Sequence, residues 1–242
     1  MHNITPKFKA EQIHKIDLNV PPIALATFRR MAEITDAKNI CIGGGFIRGL
    51  YMQQYLKLNP KMNDIDVFAD MTMDKFQAVR KILETQFGTQ IRVHIGTFDD
   101  ERCARGLIEF ALPEYFQDQG AGVSSVQLNF GPSHKRARLD SYMKTCNAGV
   151  NHGVIDLEGQ SYVSSLFLSD ITQRTITMNP RKSWTVSEWD SSMKTLTRMR
   201  DERPEFHGWK IIQAPRPSVE PSGLFWDEMS ALKNEMNAKP EV

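Results

Sequence analysis

The 242-residue chain sets 30 Lys and Arg against 29 Asp and Glu, with 40% hydrophobic and 24% charged residues. That length holds one good core, or one core with a smaller appendage, and that composition excludes a globally disordered chain. A formal charge of +1 provides no overall field to draw in nucleic acid or an anionic membrane, so any polyanion site must be a local basic patch.

Cys41, Cys103 and Cys146 fall in no CxxC or Cys/His ligand spacing, which points to a reducing compartment without structural zinc. The N-terminal MHNITPKFKAEQIHK lacks the apolar run of a signal peptide, and no stretch approaches the roughly 18 apolar residues of a membrane span. The expectation is a protein with no membrane partner, located in the cytoplasm or in a particle packaged from it.

In chain order, Pro21 and Pro22 sit where a first helical turn tolerates proline. The run to Ile34 places Leu25, Phe28 and Ala32 on one side of an amphipathic helix. Asn39 to Ile42 reads as a short buried strand that ends in Gly43-Gly44-Gly45. A second helix runs from Phe46 to about Leu58 and stops before Pro60. Asp64-Ile65-Asp66-Val67-Phe68 alternates at the strand period. A third helix starts near Asp74, with Phe76, Val79, Ile82, Leu83 and Phe87 on one face and Gly88 at its end.

Strands are then expected at Ile91–Ile95, Leu107–Phe110, Val126–Phe130, Val154–Leu157 and Thr175–Met178, and a helix over Trp184–Arg200. Pro204, Pro215, Pro217 and Pro221 mark the remainder as an arm carrying a short helix near Leu224–Met236. The expected fold is α/β: a small mixed sheet flanked by helices on one side, with a C-terminal helical extension. The domain boundary is placed near residue 180, giving 1–180 and 181–242.

Residues 41 to 70 carry the chemistry. Strand, glycine turn and helix lead into a strand that opens Asp-x-Asp. Alternate strand residues share a face, so Asp64 and Asp66 project together, about 7 Å apart along the strand. Two such carboxylates suit magnesium, whose octahedron phosphate oxygens complete. The glycines let backbone approach a phosphate, and the helix N-terminus adds amide donors and a favourable dipole. Arg48, one turn into that helix, is a candidate charged contact to the same phosphates.

Gly44-Gly45-Phe46-Ile47-Arg48 followed by Asp64-Ile65-Asp66 resembles the nucleotidyltransferase superfamily, in particular the head domain of tRNA CCA-adding enzymes and polynucleotide adenylyltransferases. A looser echo lies in Arg138, Asp140, Asn147 and Ala148. The segment Val126 to Asp140 also resembles phage-encoded members.

The resemblance implies transfer of a nucleoside monophosphate from a nucleoside triphosphate such as ATP to a hydroxyl acceptor, for instance an RNA end, with loss of pyrophosphate. It implies two magnesium ions held by catalytic Asp64 and Asp66, with Gly44, Gly45 and Arg48 binding the nucleotide. Three positions depart from the family pattern. Gly49 replaces a common aspartate, the helix between glycines and carboxylates is long, and no third carboxylate is evident. Gln127 and Asn129 are neutral, which leaves Glu109 and Asp140 as candidates.

Other readings compete. Gly43-x-Gly45 with an acidic residue about twenty positions on fits a dinucleotide fingerprint, but Arg48 occupies the position of its third glycine. A P-loop is excluded because no Gly-Lys-Ser/Thr occurs. The run His134-Lys135-Arg136-Ala137-Arg138 is either solvated loop charge or a grip, through Lys135, Arg136 and Arg138, on triphosphate or acceptor backbone. The neutral Gln127 and Asn129 favour a second class: a catalytically degenerate member serving as a nucleic-acid-binding or viral assembly module.

Overall fold

The computed structural model describes residues 12–218 apart from 38, 88–90, 98–103, 113, 115–121, 132–141, 144 and 181–183. Its strands are β1 (Ile13–Ile16), β2 (Ile40–Gly43), β3 (Asp64–Asp70), β4 (Ile91–Thr97), β5 (Ala104–Ala111), β6 (Ser125–Gly131), β7 (Gly153–Ile155), β8 (Ser161–Ser164), β9 (Thr175–Thr177) and β10 (Lys210–Ile212). The helices are α1 (Pro22–Thr35), α2 (Gly45–Leu56), α3 (Met73–Phe87), α4 (Ser165–Gln173) and α5 (Val186–Glu202). Among the described residues no helix is long and apolar enough to cross a membrane.

The architecture is mixed α/β, as expected, but the sheet is not small. Eight strands run in the order β1-β8-β7-β2-β3-β6-β5-β4, and a separate parallel pair joins β9 to β10. β1 and β8 are too short and polar to stand out: the Ile13–Ile16 strand alternates exposed and half-buried residues, and Ser161–Ser164 opens and closes on serine. The helix α4, which follows β8 directly, is capped by the Ser164 hydroxyl accepting from the Phe167 amide at 3.1 Å, a favoured N-cap arrangement.

Strand period decides which face each residue takes. In β3, Ile65, Val67 and Ala69 are buried while Asp64 and Asp66 are half-buried. The parallel neighbour β6 repeats this, with Val126, Leu128 and Phe130 inward and Gln127 and Asn129 opposite. The inward residues join Phe28 of α1, Ile47 of α2, and Phe76, Val79 and Leu83 of α3 in one core.

Leu196, Met199, Phe206 and Trp209, all beyond residue 180, belong to that same core. On the opposite face the β2–β3 half is covered by a second cluster of Cys41, Phe68, Tyr142, Met143, Cys146 and Val154. On the β6–β5 half of that face Gln127, Asn129 and Glu109 stand with Leu107 among them.

Phe76 of α3 and Phe130 of β6 are fully buried and stacked, with ring centroids 3.6 Å apart and planes 12° apart. Replacing a buried phenylalanine by alanine removes its transfer energy and leaves a void. Phe76→Ala is expected to lower the unfolding free energy by about 3–5 kcal/mol, read as a lower urea midpoint with unchanged slope.

Candidate functional site

The site is built where β2 ends. Gly44 takes φ +79° and ψ −144°, a conformation open only to glycine at little cost, and it turns the chain into α2. A Cβ on Gly44 would lie 2.6 Å from the Asp66 Oδ2, so the carboxylate rests directly against this turn. A Cβ on Gly43 would strike the Tyr142 ring at 2.6 Å, so the preceding position has no room for a side chain either. The helix it caps has no side-chain cap and no acidic residue in its first turn. Asp66 therefore sits where the helix dipole favours negative charge.

Sheet register places the other candidates. Asp66 lies between Gly43 of β2 and Gln127 of β6, Gln127 faces Glu109 of β5, and Glu109 faces Arg92 of β4. Directly paired residues share a face, so Asp66, Gln127, Glu109 and Arg92 form one polar row. Glu109 is two strands from Asp66, about 10 Å at ordinary strand spacing, and its carboxylate stands 4.0 Å from the Arg92 guanidinium. The residue beside Asp66 on the neighbouring strand is thus an amide. Among the described residues no three His, Cys, Asp or Glu side chains are grouped to hold a metal ion. Asp140, Lys135, Arg136 and Arg138 lie outside the described residues.

Arg48 is 3% exposed. Its guanidinium folds back over the first turn of α2, with Nη2 3.3 Å from where a Gly45 Cβ would be. The Nη1 donates to the Asn151 Oδ1, and the Cζ lies 5.0 Å from the centre of the Phe206 ring. The Nε is buried without a hydrogen-bond partner. Burial pulls the Arg48 pKa down to about 10, helped by Arg203 and opposed by Glu205, Tyr142 and Asp64; the group stays a cation at neutral pH. Asn151 comes from a 3-10 turn, Gly149–Asn151, and Phe206 from another, Pro204–Phe206, that follows α5. Gly49, where the family resemblance expects an aspartate, has Met62 packed against it: a Cβ there would lie 2.3 Å from the Met62 Sδ.

These elements enclose a cleft of about 540 Å³, within the size range of small-ligand sites. Gly45, Arg48, Asp64 and Asp66 of α2 and β3 line it together with Arg198, Glu202, Arg203 and Glu205 of α5 and the turn after it, and Lys61 from the loop before β3. The structure thus brings together Gly44, Gly45, Arg48, Asp64 and Asp66, and leaves Glu109 beyond Gln127. Sequence reasoning did not reach Lys61, Asn151, Arg198, Arg203 or Glu205. The signal available is the charged run Arg198 to Glu205, whose Arg198 and Glu202 share a helical face, whereas helical periodicity marks only the apolar face of that helix.

Asp64 feels both walls. Burial raises its carboxyl above the usual range and Glu109 adds to the rise, while Arg203 and Arg48 oppose it. Cys41 is no nucleophile, since burial pushes its thiol up to about 12. No protein-family model matches the chain, and no curated protein is significantly similar to it.

Because Asp64 binds its proton more tightly folded than unfolded, its contribution to stability falls as pH rises through the range above the ordinary carboxylate pKa, and its ionised form is a net cost at pH 7. Asp64→Asn is therefore expected to melt at a higher temperature than wild type at pH 7, with the gain shrinking toward acid pH. A lower melting temperature at pH 7 would mean that the carboxylate holds the fold. Arg48→Ala is expected to have the opposite effect, losing about 2–4 kcal/mol because Asn151 and the Phe206 face lose their partner and a void is left.

Proposed function

We propose that the cleft is a nucleotidyl-transfer site of the nucleotidyltransferase-superfamily type, which passes a nucleoside monophosphate from a nucleoside triphosphate to a hydroxyl acceptor such as an RNA end. The observation that carries this reading is the placement of two carboxylates, Asp64 and Asp66, on one face of β3, with Asp66 against the Gly44 turn, inside a cleft that Arg48, Arg198 and Arg203 also line.

The donor set fits magnesium, which takes one or two carboxylates and leaves its remaining positions to water and phosphate oxygens. Asp64 and Asp66 would hold it, and it would supply charge neutralisation at the phosphate and the departing pyrophosphate. Burial leaves the Asp64 carboxylate poorly solvated, so a divalent ion would stabilise its charged form. For a second ion, Gln127 offers only an amide oxygen, and Glu109 faces Arg92.

The chain's own groups have separate parts. Gly44 and Gly45 let the Asp66 carboxylate rest against the α2 N-terminus, which orients it for a metal ion, and Arg48 adds a fixed positive charge beside them. That same neutral Gln127 supports a second reading, in which a catalytically degenerate fold binds nucleotide or nucleic acid without turning it over.

The test is incubation of the full chain with each labelled nucleoside triphosphate, magnesium and total RNA, beside the Asp64→Asn/Asp66→Asn double variant. Label on RNA or on the protein with wild type alone is the expected result. Magnesium-dependent retention of triphosphate without transfer would select the second reading, and the absence of both transfer and retention would overturn the metal assignment.

A further inference from the structure

Three cations that line the cleft make no hydrogen bond or ion pair with their side chains among the described residues. Most described arginines donate to protein acceptors, as Arg30 does to Glu33, Arg80 to Glu84 and Arg216 to Asp190. The side chains of Arg198 and Arg203 make no hydrogen bond or ion pair, and neither does that of Lys61, yet all three line the same cleft. Arg203 is half-buried, where an unpaired guanidinium is costly unless something anionic meets it.

The near wall is already supplied with negative charge. The Asp66 carboxylate occupies the space against the α2 N-terminus, and the Arg48 Nη1 is taken by Asn151. A polyanion entering this cleft must draw its counter-charge from the other side. The buried, unpartnered Arg48 Nε adds positive potential at the floor. A divalent ion on Asp64 and Asp66 would cancel those carboxylates and leave Arg48, Lys61, Arg198 and Arg203 against Glu202 and Glu205 alone, an excess of positive charge.

We infer that Lys61, Arg198 and Arg203 form the polyphosphate-binding wall of this cleft, so that a nucleotide's phosphate chain runs from the Asp64–Asp66 edge toward the C-terminal end of α5. The inference rests on the nucleotide reading above for the nucleoside, but not for the polyphosphate. Arg48 is a positioning residue on this account. It holds the Pro204–Phe206 turn against α2 and so sets where Arg203 stands.

The probe is inorganic triphosphate, titrated calorimetrically into the full chain without metal. Arg198→Gln and Arg203→Gln are each expected to weaken binding about tenfold, Arg203→Lys to recover most of it, and the double glutamine variant to flatten the dependence of affinity on salt. Arg174→Gln, an exposed arginine outside the cleft, should change nothing. Asp64→Asn/Asp66→Asn should tighten metal-free triphosphate by removing like charge. Wild type that does not bind triphosphate, or affinity unchanged in the double arginine variant, would overturn the inference. Triphosphate binding that depends on the arginines without any nucleotidyl transfer would leave the inference standing and remove the enzyme. Transfer at wild-type rate and KM in the double arginine variant would do the reverse.

Discussion

The burial of one guanidinium organises the functional half of this molecule. Arg48 stays charged although burial draws its pKa down to about 10, so it must be met by partners that pin it in place. Those partners come from distant parts of the chain: the Asn151 amide oxygen, the face of the Phe206 ring, and the bare backbone of Gly45. Satisfying a single side chain therefore fixes the end of α5 against the start of α2. The cleft is the space left between them, and its dimensions follow from how closely Phe206 approaches Arg48.

The start of α5 is held independently of that contact. Thr185 and Glu188 form a reciprocal capping box at its start. The Trp189 indole donates to the Ala214 carbonyl at 2.9 Å, and Arg216 pairs with Asp190. On the other flank, the buried Asp170 carboxylate accepts from Thr175 and Thr177 and holds β9 in position to pair with β10. A rigid scaffold of this kind suits a site whose own groups are poorly satisfied: Asp64 destabilised by burial, Arg203 without a partner, the Glu205 Oε1 buried without a hydrogen bond. Natural proteins accept such local costs where a ligand is to supply the missing interactions.

Much of this was legible in the sequence, for identifiable reasons. Strong periodicity located α1, α2 and α3 and the strands from β2 to β6, because each buries a continuous face whose spacing survives in the residue order. Asp64 and Asp66 were visible because alternation alone puts them on one face. What escaped was whatever depends on tertiary pairing. The Ile13–Ile16 strand has no hydrophobic run, and only its partner β8 makes it a strand. The α5 wall was hidden because a helix's charged face looks the same whether it meets water or a cleft. Arg48 read as a phosphate contact by motif position, whereas its depth depends on Phe206, more than 150 residues away. The sheet's size was missed because β1 and β8, four residues each, carry too little pattern to count, although the similarly short β2 and β7 were expected.

The order of assembly follows from where the pieces lie along the chain. β2 is flanked by β3 on one side and β7 on the other, so the strand that ends in the glycine turn is not enclosed until Val154 and Ile155 have been made. The far wall comes later still, with Arg198 and Arg203. At ordinary elongation rates of 5–20 residues per second, the Asp64–Asp66 pair leaves the ribosome roughly ten seconds before its counter-charges exist. A nascent chain that already holds residues 41–70 thus has its paired carboxylates and Arg48 without the partners that later meet them, and the cleft comes into being only once residues 198–206 have been made.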